Sequence, residues 1–301
     1  MTRLKKDRKS FFDMIKNYDY EKHNDEYLNL VNGGKQPGRV LMALSANPRI
    51  MLSDPNNNPD RIIFENYMND YSLMADISCR FQEYSSNQLF CDKIMGFENT
   101  DGFTMWYDSQ NTEEHRYFGG DIVYHGFDVP STVKLLNDNN KYAFIDKPFP
   151  AIDTGPYAYG HEYYMYCLDL QKNGFAWKGK PIKSVIDSCE LGTDGPLTIC
   201  CCLLGAGEIC AALYEEEAFA LDLLNYIADA TIYRIKEGKK RIGQPEKAAA
   251  CGLLTIVSHC FPLMTISGLF SRCINVFLVS LRPVKGFIRS ICAETRPGII
   301  R

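Results

Sequence analysis

Several features of nucleic-acid binders and secreted scaffolds are missing from this chain of 301 residues. It lacks an excess of basic residues, because 33 Lys and Arg stand against 37 Asp and Glu, and the formal net charge is -4. A protein that binds a phosphate backbone normally carries a basic stripe, so we expect no nucleic-acid partner.

The chain also lacks a disulfide framework. It has twelve cysteines but no CxxC pair. Cys200, Cys201 and Cys202 are contiguous, which predicts that they alternate between the faces of a strand as small buried hydrophobes rather than zinc ligands. Residues 1–9 are basic and Phe11-Phe12-Asp13 follows, which breaks the apolar region of a signal peptide. We therefore expect a reducing cytoplasm.

Acidic residues are nearly absent after residue 252. Residues 1–252 hold 27 basic and 36 acidic residues, whereas the last 49 hold six basic residues and the single acid Glu294. The apolar run at 253–281 is interrupted by Pro262, Arg272 and Asn275, and an arginine near its middle would be costly in lipid, so we expect no membrane span. Two different compositions meet near residue 252.

The body of the chain shows alternating strand and helix patterns without repeats. The patterns predict strands at 40–44, 103–107, 181–186 and 199–204, a strand pair or loop at 119–129, and helices at 1–35, 64–88, 130–137, 157–171, 208–214 and 216–237. Ser131 stands at a capping position of the helix predicted at 130–137. This alternation predicts an α/β fold with a parallel sheet.

Four short segments carry a resemblance to a known family. They are Gly-Thr-Asp-Gly-Pro-Leu-Thr at 192–198, Leu-Gly-Ala-Gly-Glu at 204–208, Ser-Ala-Asn-Pro-Arg at 45–49 and Phe-Glu-Asn-Tyr at 64–67. Together they resemble the uroporphyrinogen decarboxylase superfamily, which contains porphyrin decarboxylases and zinc-dependent methyltransferases of corrinoid systems. The resemblance implies a (β/α)8 TIM-type barrel that is incomplete in this chain, with a helical lead-in at 1–37, a partial barrel at 38–252 and a tail at 253–301 without a native fold.

The resemblance also implies where the site lies, because the working residues of such barrels stand at the carboxyl ends of strands. Asp108 follows the strand at 103–107 and matches the position of the family's strand-end aspartate. It is the catalytic candidate, since a carboxylate there can stabilise a cation that develops in the transition state. The substrate-binding candidates are Asn47, Arg49, Asp194, Thr198 and Cys202.

Two departures from the family pattern weaken the porphyrin interpretation. Cys202 stands where the decarboxylases carry a tyrosine. The Gln-Ala-Gly-Arg-Tyr motif, whose arginine binds substrate carboxylates, is absent, and Asn47-Pro48-Arg49 is its nearest equivalent.

A displaced reading frame explains the tail. After its helix the family has a strand reading Ala-Asp-Asp-Ser-Ile-Ala-Leu-Leu-Ser and later a His-x-Cys-Gly zinc motif, but residues 254–262 read Leu-Thr-Ile-Val-Ser-His-Cys-Phe-Pro. With suitable synonymous codons, reading one base earlier converts this segment into the family strand. The same displacement converts residues 291–294 into His-Leu-Cys-Gly. We infer that residues from about Leu253 are an out-of-frame translation, which also accounts for the missing acids.

The resemblance implies either a methyltransferase or a carboxy-lyase with a small-molecule substrate. The out-of-frame His-Leu-Cys-Gly favours methyl transfer, in which Zn²⁺ lowers the pKa of a substrate thiol that takes a methyl group from a corrinoid protein. Zinc would then belong to the frame-corrected parent, and this chain would bind no cofactor and be inactive as written. The alternatives are a cofactor-free uroporphyrinogen decarboxylase and a non-catalytic truncated barrel with an open sheet edge.

Sequencing the gene across codons 245–305 tests the displaced frame. We expect one extra or missing base near codon 253, because a single displacement restores both family motifs. A clean read in the printed frame would contradict the hypothesis and make the tail a genuine part of the protein.

Overall fold

The computed structural model describes residues 18–33, 41–42, 44, 46–191, 193–245 and the backbone of 253–254. The chain divides into two compact units. Unit 1 comprises 1–108, 126–129 and 166–185, and unit 2 comprises 109–125, 130–165 and 186–301. The tail at 255–301 and most of the lead-in at 1–37 lie outside the described residues.

Helices make up most of the described chain. The α-helices are α1 (Tyr20–Asn32), α2 (Ile50–Ser53), α3 (Phe64–Asn69), α4 (Tyr71–Gln88), α5 (Glu113–Tyr117), α6 (Lys141–Ile145), α7 (Ala158–Lys172), α8 (Pro196–Leu203), α9 (Ala206–Glu215) and α10 (Glu217–Arg241). Short 3₁₀ helices lie at Phe97–Asn99, Gly155–Tyr157 and Ser188–Glu190. The helices predicted at 157–171, 208–214 and 216–237 are thus confirmed as α7, α9 and α10.

Among the described residues, the strands form three small sheets. They are β1 (Phe103–Trp106), β2 (Ile122–His125), β3 (Asp128–Thr132), β4 (Ala176–Trp177), β5 (Lys180–Ile186), β6 (Thr193–Asp194) and β7 (Leu253–Leu254). The sheet orders are β1-β5-β4, β2-β3 and β6-β7. Strand β4 is antiparallel to β5, and β6 is parallel to β7. The described residues therefore form a mixed α/β structure and do not by themselves show a closed barrel.

The strand predicted at 199–204 is wrong, because this segment belongs to helix α8. Pro196 lies in the first turn of that helix, where its fixed φ is favourable and its missing N–H costs nothing. Short apolar runs do not distinguish a strand from a buried helix. The three contiguous cysteines consequently follow a helical turn instead of alternating between two faces.

Three other sequence predictions need correction. The helix predicted at 64–88 is broken at Asp70, whose backbone is extended and whose Oδ1 accepts a hydrogen bond from the Leu73 N–H at 3.0 Å. The helix predicted at 130–137 is absent, because its first three residues pair within the β2-β3 sheet. The strand predicted at 40–44 is also absent at the described residues 41, 42 and 44.

Side-chain amides join helices to neighbouring backbone in unit 1. The Gln82 amide on α4 pairs with Thr104 on β1, donating to its carbonyl at 2.8 Å and accepting from its N–H at 2.9 Å. Asn24 on α1 pairs in the same way with the backbone of Met95, at 2.8 and 2.7 Å. Each amide therefore supplies the two hydrogen bonds that a neighbouring strand would otherwise give.

The core of unit 2 forms where α8, α9 and α10 pack together. Its fully buried members include Cys200, Leu203, Ile209, Leu223 and Ile227. In the described chain no single helix is long and apolar enough to cross a membrane, although α8 and α9, bent by 110°, pass such a test as a pair by length and composition alone. Most of these apolar side chains are instead buried against one another.

Helix α10 continues through Gly238, which the sequence predicts as its end. A Cβ atom built there would lie 2.5 Å from the Cβ atom of Cys189, on the 3₁₀ helix beside α10. The glycine therefore permits a close approach of two backbone segments. Cys189 is buried, so it has little room to move away.

Replacing Gly238 by alanine should lower the free energy of unfolding by about 1–3 kcal/mol, because the overpacking outweighs the better helix propensity of alanine. Chemical denaturation measures this change. The matched control is Gly207→Ala on α9, where a Cβ atom would contact nothing within 4 Å. Equal stabilities for the two variants would contradict the packing argument.

Candidate functional site

Helix α5 of unit 2 is buried along its whole length although four of its five residues are charged or polar. Glu113, Glu114, His115 and Arg116 are each at most 9% exposed. Burying charged side chains is costly unless they are paired or neutralised. The buried charges of α5 therefore indicate a candidate functional site around this helix.

Glu114 is the centre of a network of hydrogen bonds. Its Oε1 atom accepts from the Thr193 hydroxyl at 3.0 Å and from Arg234 Nη2 at 3.2 Å. The backbone N–H of Asp194 donates to the same oxygen at 3.4 Å. Arg234 Nη2 also donates to the Thr193 hydroxyl at 2.9 Å. We call Glu113, Glu114, Thr193, Asp194 and Arg234 the Arg234 cluster.

The position of Arg234 follows from the periodicity of α10. It lies four residues after Ala230 and seven after Ile227, both fully buried, so its side chain faces the interior. Its Cζ atom lies 5.7 and 5.4 Å from the ring centroids of Tyr117 and Tyr157. These ring faces stabilise the guanidinium where it has lost contact with water.

The cluster changes the acidity of two carboxyl groups. Burial, and to a smaller extent the neighbouring Glu114, raise the pKa of Glu113 to about 7, and Arg234 and a hydrogen bond with Ser188 oppose the increase. Burial and the charge of Glu114 likewise raise the pKa of Asp194 to about 6, again opposed by Arg234. Both groups can therefore exchange protons near neutral pH, which is typical of functional carboxyls.

Three of the substrate-binding candidates lie in unit 2. Asp194 ends β6, and Thr198 and Cys202 follow on α8, where a spacing of four residues places them on one helix face. The Thr198 hydroxyl oxygen is buried and has no hydrogen-bond partner in the described residues. Burial and then the charge of Asp194 raise the pKa of the Cys202 thiol. The charge of Asp194 therefore acts on the Cys202 thiol.

The other three candidates, Asn47, Arg49 and Asp108, lie in unit 1. Asp108 is 8% exposed, and one carboxylate oxygen accepts a hydrogen bond from the Tyr67 hydroxyl at 2.9 Å. The Asn47 side chain accepts from the Arg49 backbone N–H at 3.0 Å, which is a turn-forming bond. The Arg49 Nε atom is buried without a partner in the described part of the chain.

The zinc motif that the resemblance implies falls at 291–294 in the displaced frame, which lies outside the described residues. Within the described ranges, no group of three or more His, Cys, Asp or Glu side chains could hold a metal ion. Cys200, Cys201 and Cys202 lie on one helical turn, where successive side chains point about 100° apart.

A second polar group surrounds the fully buried Asp187. Its carboxylate forms a 2.6 Å contact with His161 Nδ1 on α7 and accepts from the Cys189 N–H at 3.0 Å.

Two other histidines of unit 2 lie away from Asp187 in the sequence. His115 lies within helix α5 and is buried, and His125 ends β2, where its ring contacts the Ser131 hydroxyl at 2.8 Å. None of these residues is among the catalytic or substrate-binding candidates that the sequence gives.

The sequence pattern did not predict Glu113, Glu114 and Arg234 as residues of a functional site. The run Glu113-Glu114-His115-Arg116 looks like a solvated helix face, because it has no apolar periodicity. The burial of Arg234 could have been predicted from its position in the sequence. It continues the apolar face of α10, which is formed by Phe219, Leu223, Ile227 and Ala230. An arginine on such a face requires a buried acidic partner.

Comparisons with known proteins show a related fold and no more. No family model matches the chain, and no curated protein matches it. Among solved structures the chain is similar to a methyltransferase from Methanosarcina mazei, with 14% sequence identity and a TM-score of 0.52. The alignment covers 86% of this chain and 67% of that methyltransferase. At this identity the likeness concerns the fold alone.

The raised pKa of Asp194 makes the stability of the chain depend on pH. The folded state holds its proton up to about pH 6, while the unfolded chain releases it near the ordinary value of 3.8, so stability falls as pH rises between these values. The variant Asp194→Asn should therefore gain stability relative to the parent across this window. The gain should be on the order of 1–2 kcal/mol, since the carboxyl is only partly buried.

Denaturation of both proteins between pH 4 and pH 8 measures this difference. Asp222→Asn, at an exposed position on α10, is the control and should show no such trend. A parallel pH dependence for the parent and Asp194→Asn would show that the Asp194 carboxyl is not held in its protonated form.

Proposed function

We propose that this chain is part of a methyl-transfer enzyme of the corrinoid-linked type, which transfers a methyl group to a small thiol. The observation that carries the proposal is the likeness in fold to the Methanosarcina mazei methyltransferase over 86% of the chain. Asp194 lies at the end of a strand and has a raised pKa of about 6, which suits it to accept a proton from the substrate.

Asp194 acts as the proton acceptor for the substrate. Its carboxylate takes the proton of the thiol, and the resulting thiolate attacks the methyl carbon of a methyl-corrinoid carried by a partner protein. The carbon–sulfur bond forms as the carbon–cobalt bond breaks, and cobalt keeps the bonding electron pair. A base with a pKa of about 6 is ionised at neutral pH and still binds a proton well.

The neighbouring residues hold this carboxylate in place. Glu114 fixes the backbone of Asp194, and Arg234 fixes Glu114. Burial raises the pKa of the Cys202 thiol, so it stays protonated and lines the site without competing as a nucleophile. The unpartnered Thr198 hydroxyl is available to a polar group of the substrate.

A displaced frame would place further carboxylates near Asp194 in the parent enzyme. Leu253 and Leu254 pair in parallel with Thr193 and Asp194. With suitable synonymous codons the displaced frame reads Ala-Asp-Asp at 254–256, so two aspartates would follow a strand adjacent to Asp194. The parent would thus carry further carboxylates where the printed chain has Leu-Thr-Ile, and later its His-Leu-Cys-Gly motif at 291–294.

A methyl-transfer assay on two proteins tests the proposal, one with the printed sequence and one with the frame restored after codon 253. With methylcobalamin and 2-mercaptoethanol, we expect loss of the cobalt–methyl absorbance only with the frame-restored protein. In that protein Asp194→Asn should lower the rate by about 10²-fold or more, as removal of a general base does. Asp222→Asn should leave the rate unchanged.

Two outcomes would contradict the proposal. One is a frame-restored protein that folds but consumes no methylcobalamin. The other is a rate that Asp194→Asn does not alter, because the thiol proton would then be taken by another group.

Porphyrin decarboxylation is the second candidate, and the Tyr67–Asp108 hydrogen bond favours it. This bond holds a buried carboxylate just after β1, where a cation that develops in the transition state could be stabilised. Release of carbon dioxide from uroporphyrinogen distinguishes the two candidates. An enzyme that releases it, and loses this activity in Asp108→Asn but not in Asp194→Asn, would be a decarboxylase.

A further inference from the structure

Unit 1 contains a cavity that is lined by residues of helix α4, of the 3₁₀ helix at Phe97–Asn99 and of strand β1. Its volume is about 270 Å³, and it is partly open to solvent. None of the described residues that line it is charged. All of them belong to unit 1, so the cavity shares no residue with the Arg234 cluster of unit 2.

The walls of this cavity are aromatic and are held in place by their own packing. The ring centroids of Phe97 and Phe103 lie 5.7 Å apart, and both rings pack edge-on against Trp177, at 5.9 and 5.7 Å. Phe81 and Trp106 complete the aromatic lining. Pre-formed walls of this kind favour a flat aromatic ligand, which can stack on them or meet them edge to face.

Two hydroxyl groups of the lining have already used their hydrogens. Ser86 Oγ donates to the Gln82 carbonyl at 2.8 Å. Thr100 Oγ1 donates to the Phe97 carbonyl at 2.7 Å. A hydroxyl has one hydrogen and two lone pairs, so each of these oxygens can only accept a hydrogen bond from a ligand. A ligand that matches them must carry an N–H or O–H donor.

Two lysine ammonium groups bind lining residues and determine which charge the cavity tolerates. Lys93 Nζ donates to the third hydroxyl of the lining, Ser85 Oγ, at 3.0 Å. Lys180 Nζ donates to the backbone carbonyl of Thr100 at 2.8 Å. These positive charges disfavour a cationic donor such as a protonated amine. The donor that the cavity accepts is therefore a neutral one.

The volume sets the size of the ring system. A cavity of about 150 Å³ with apolar walls binds benzene. A volume of about 270 Å³ therefore admits two fused rings.

We infer that this cavity of unit 1 binds a neutral, flat aromatic molecule of about two fused rings that carries an N–H or O–H donor. The ring system lies against Phe97, Phe103 and Trp106, and its donor bonds to the oxygen of Ser86 or Thr100. Binding here is independent of the methyl transfer proposed above, which uses Asp194. It can be measured without a methyl donor.

Calorimetry and thermal unfolding of the printed chain test the inference with indole and benzofuran as probes. The two molecules have nearly the same shape, but benzofuran carries an acceptor oxygen where indole carries an N–H. We expect indole to bind saturably and to raise the unfolding midpoint, as a ligand of the folded state does. Its Kd should be at least about tenfold lower than that of benzofuran, which leaves the hydroxyl oxygens without a donor.

Variants locate the site. The double variant Ser86→Ala/Thr100→Val keeps the shape of the lining but removes both acceptors, so it should bind indole no better than benzofuran. Ser86→Leu reduces the volume and should weaken the binding of both probes at least about tenfold. Ser72→Ala, at an exposed position on the same helix, is the matched control and should bind both probes as the parent does. Thermal unfolding without a probe shows whether each variant is folded.

Three results would overturn the inference. Absence of saturable indole binding to the folded parent would show that the cavity takes no such ligand. Equal affinities of the parent for indole and benzofuran would remove the donor from the recognition. Unchanged indole binding by a folded Ser86→Leu variant would place the ligand elsewhere.

Discussion

Burial of one guanidinium sets the arrangement of unit 2. Arg234 is 3% exposed, and it can remain ionised there only because Glu114, the Thr193 hydroxyl and two tyrosine rings surround it. These contacts join α10, α5 and β6, which are far apart in the sequence. Breaking a buried pair by removing one partner typically costs about 3–5 kcal/mol, because the other charge stays uncompensated. The positions of Glu113 and Asp194 on either side follow from this pairing.

Because of the same pairing, the three carboxyl groups of the cluster differ in hydrogen bonding and in proton affinity. One oxygen of Glu114 accepts three hydrogen bonds, so this carboxylate serves as the anchor. Asp194 is less buried and its charge acts on the thiol of Cys202, whereas Glu113 is directed toward Ser188 and Gly160. One arginine cannot neutralise three carboxylates, so two of them retain protons at a pH where exposed carboxyls are ionised. Such a division of acidity between neighbours is how a single fold provides distinct acids and bases.

Much of the fold is visible in the sequence, but the site is visible only in part. The helices α7, α9 and α10 and the strands β1 and β5 follow from apolar periodicity, which is most dependable in long segments. The segment 199–204 is too short and too uniformly apolar for its period to be measured. Asp194 was identified from a motif, whereas Glu113 and Glu114 resemble a solvated charge run. Their burial depends on Arg234, about 120 residues further along the chain, and no local pattern encodes such a contact.

The amide side chains of unit 1 also affect hydrogen exchange between its backbone N–H groups and water. The N–H of Thr104 on β1 is held by the Gln82 side chain, which extends from α4. Exchange of that proton with deuterium from water requires the helix to move away or the glutamine to rotate. Protection at this strand residue therefore reports the opening of a helix, and the two elements belong to one cooperative unit of local unfolding.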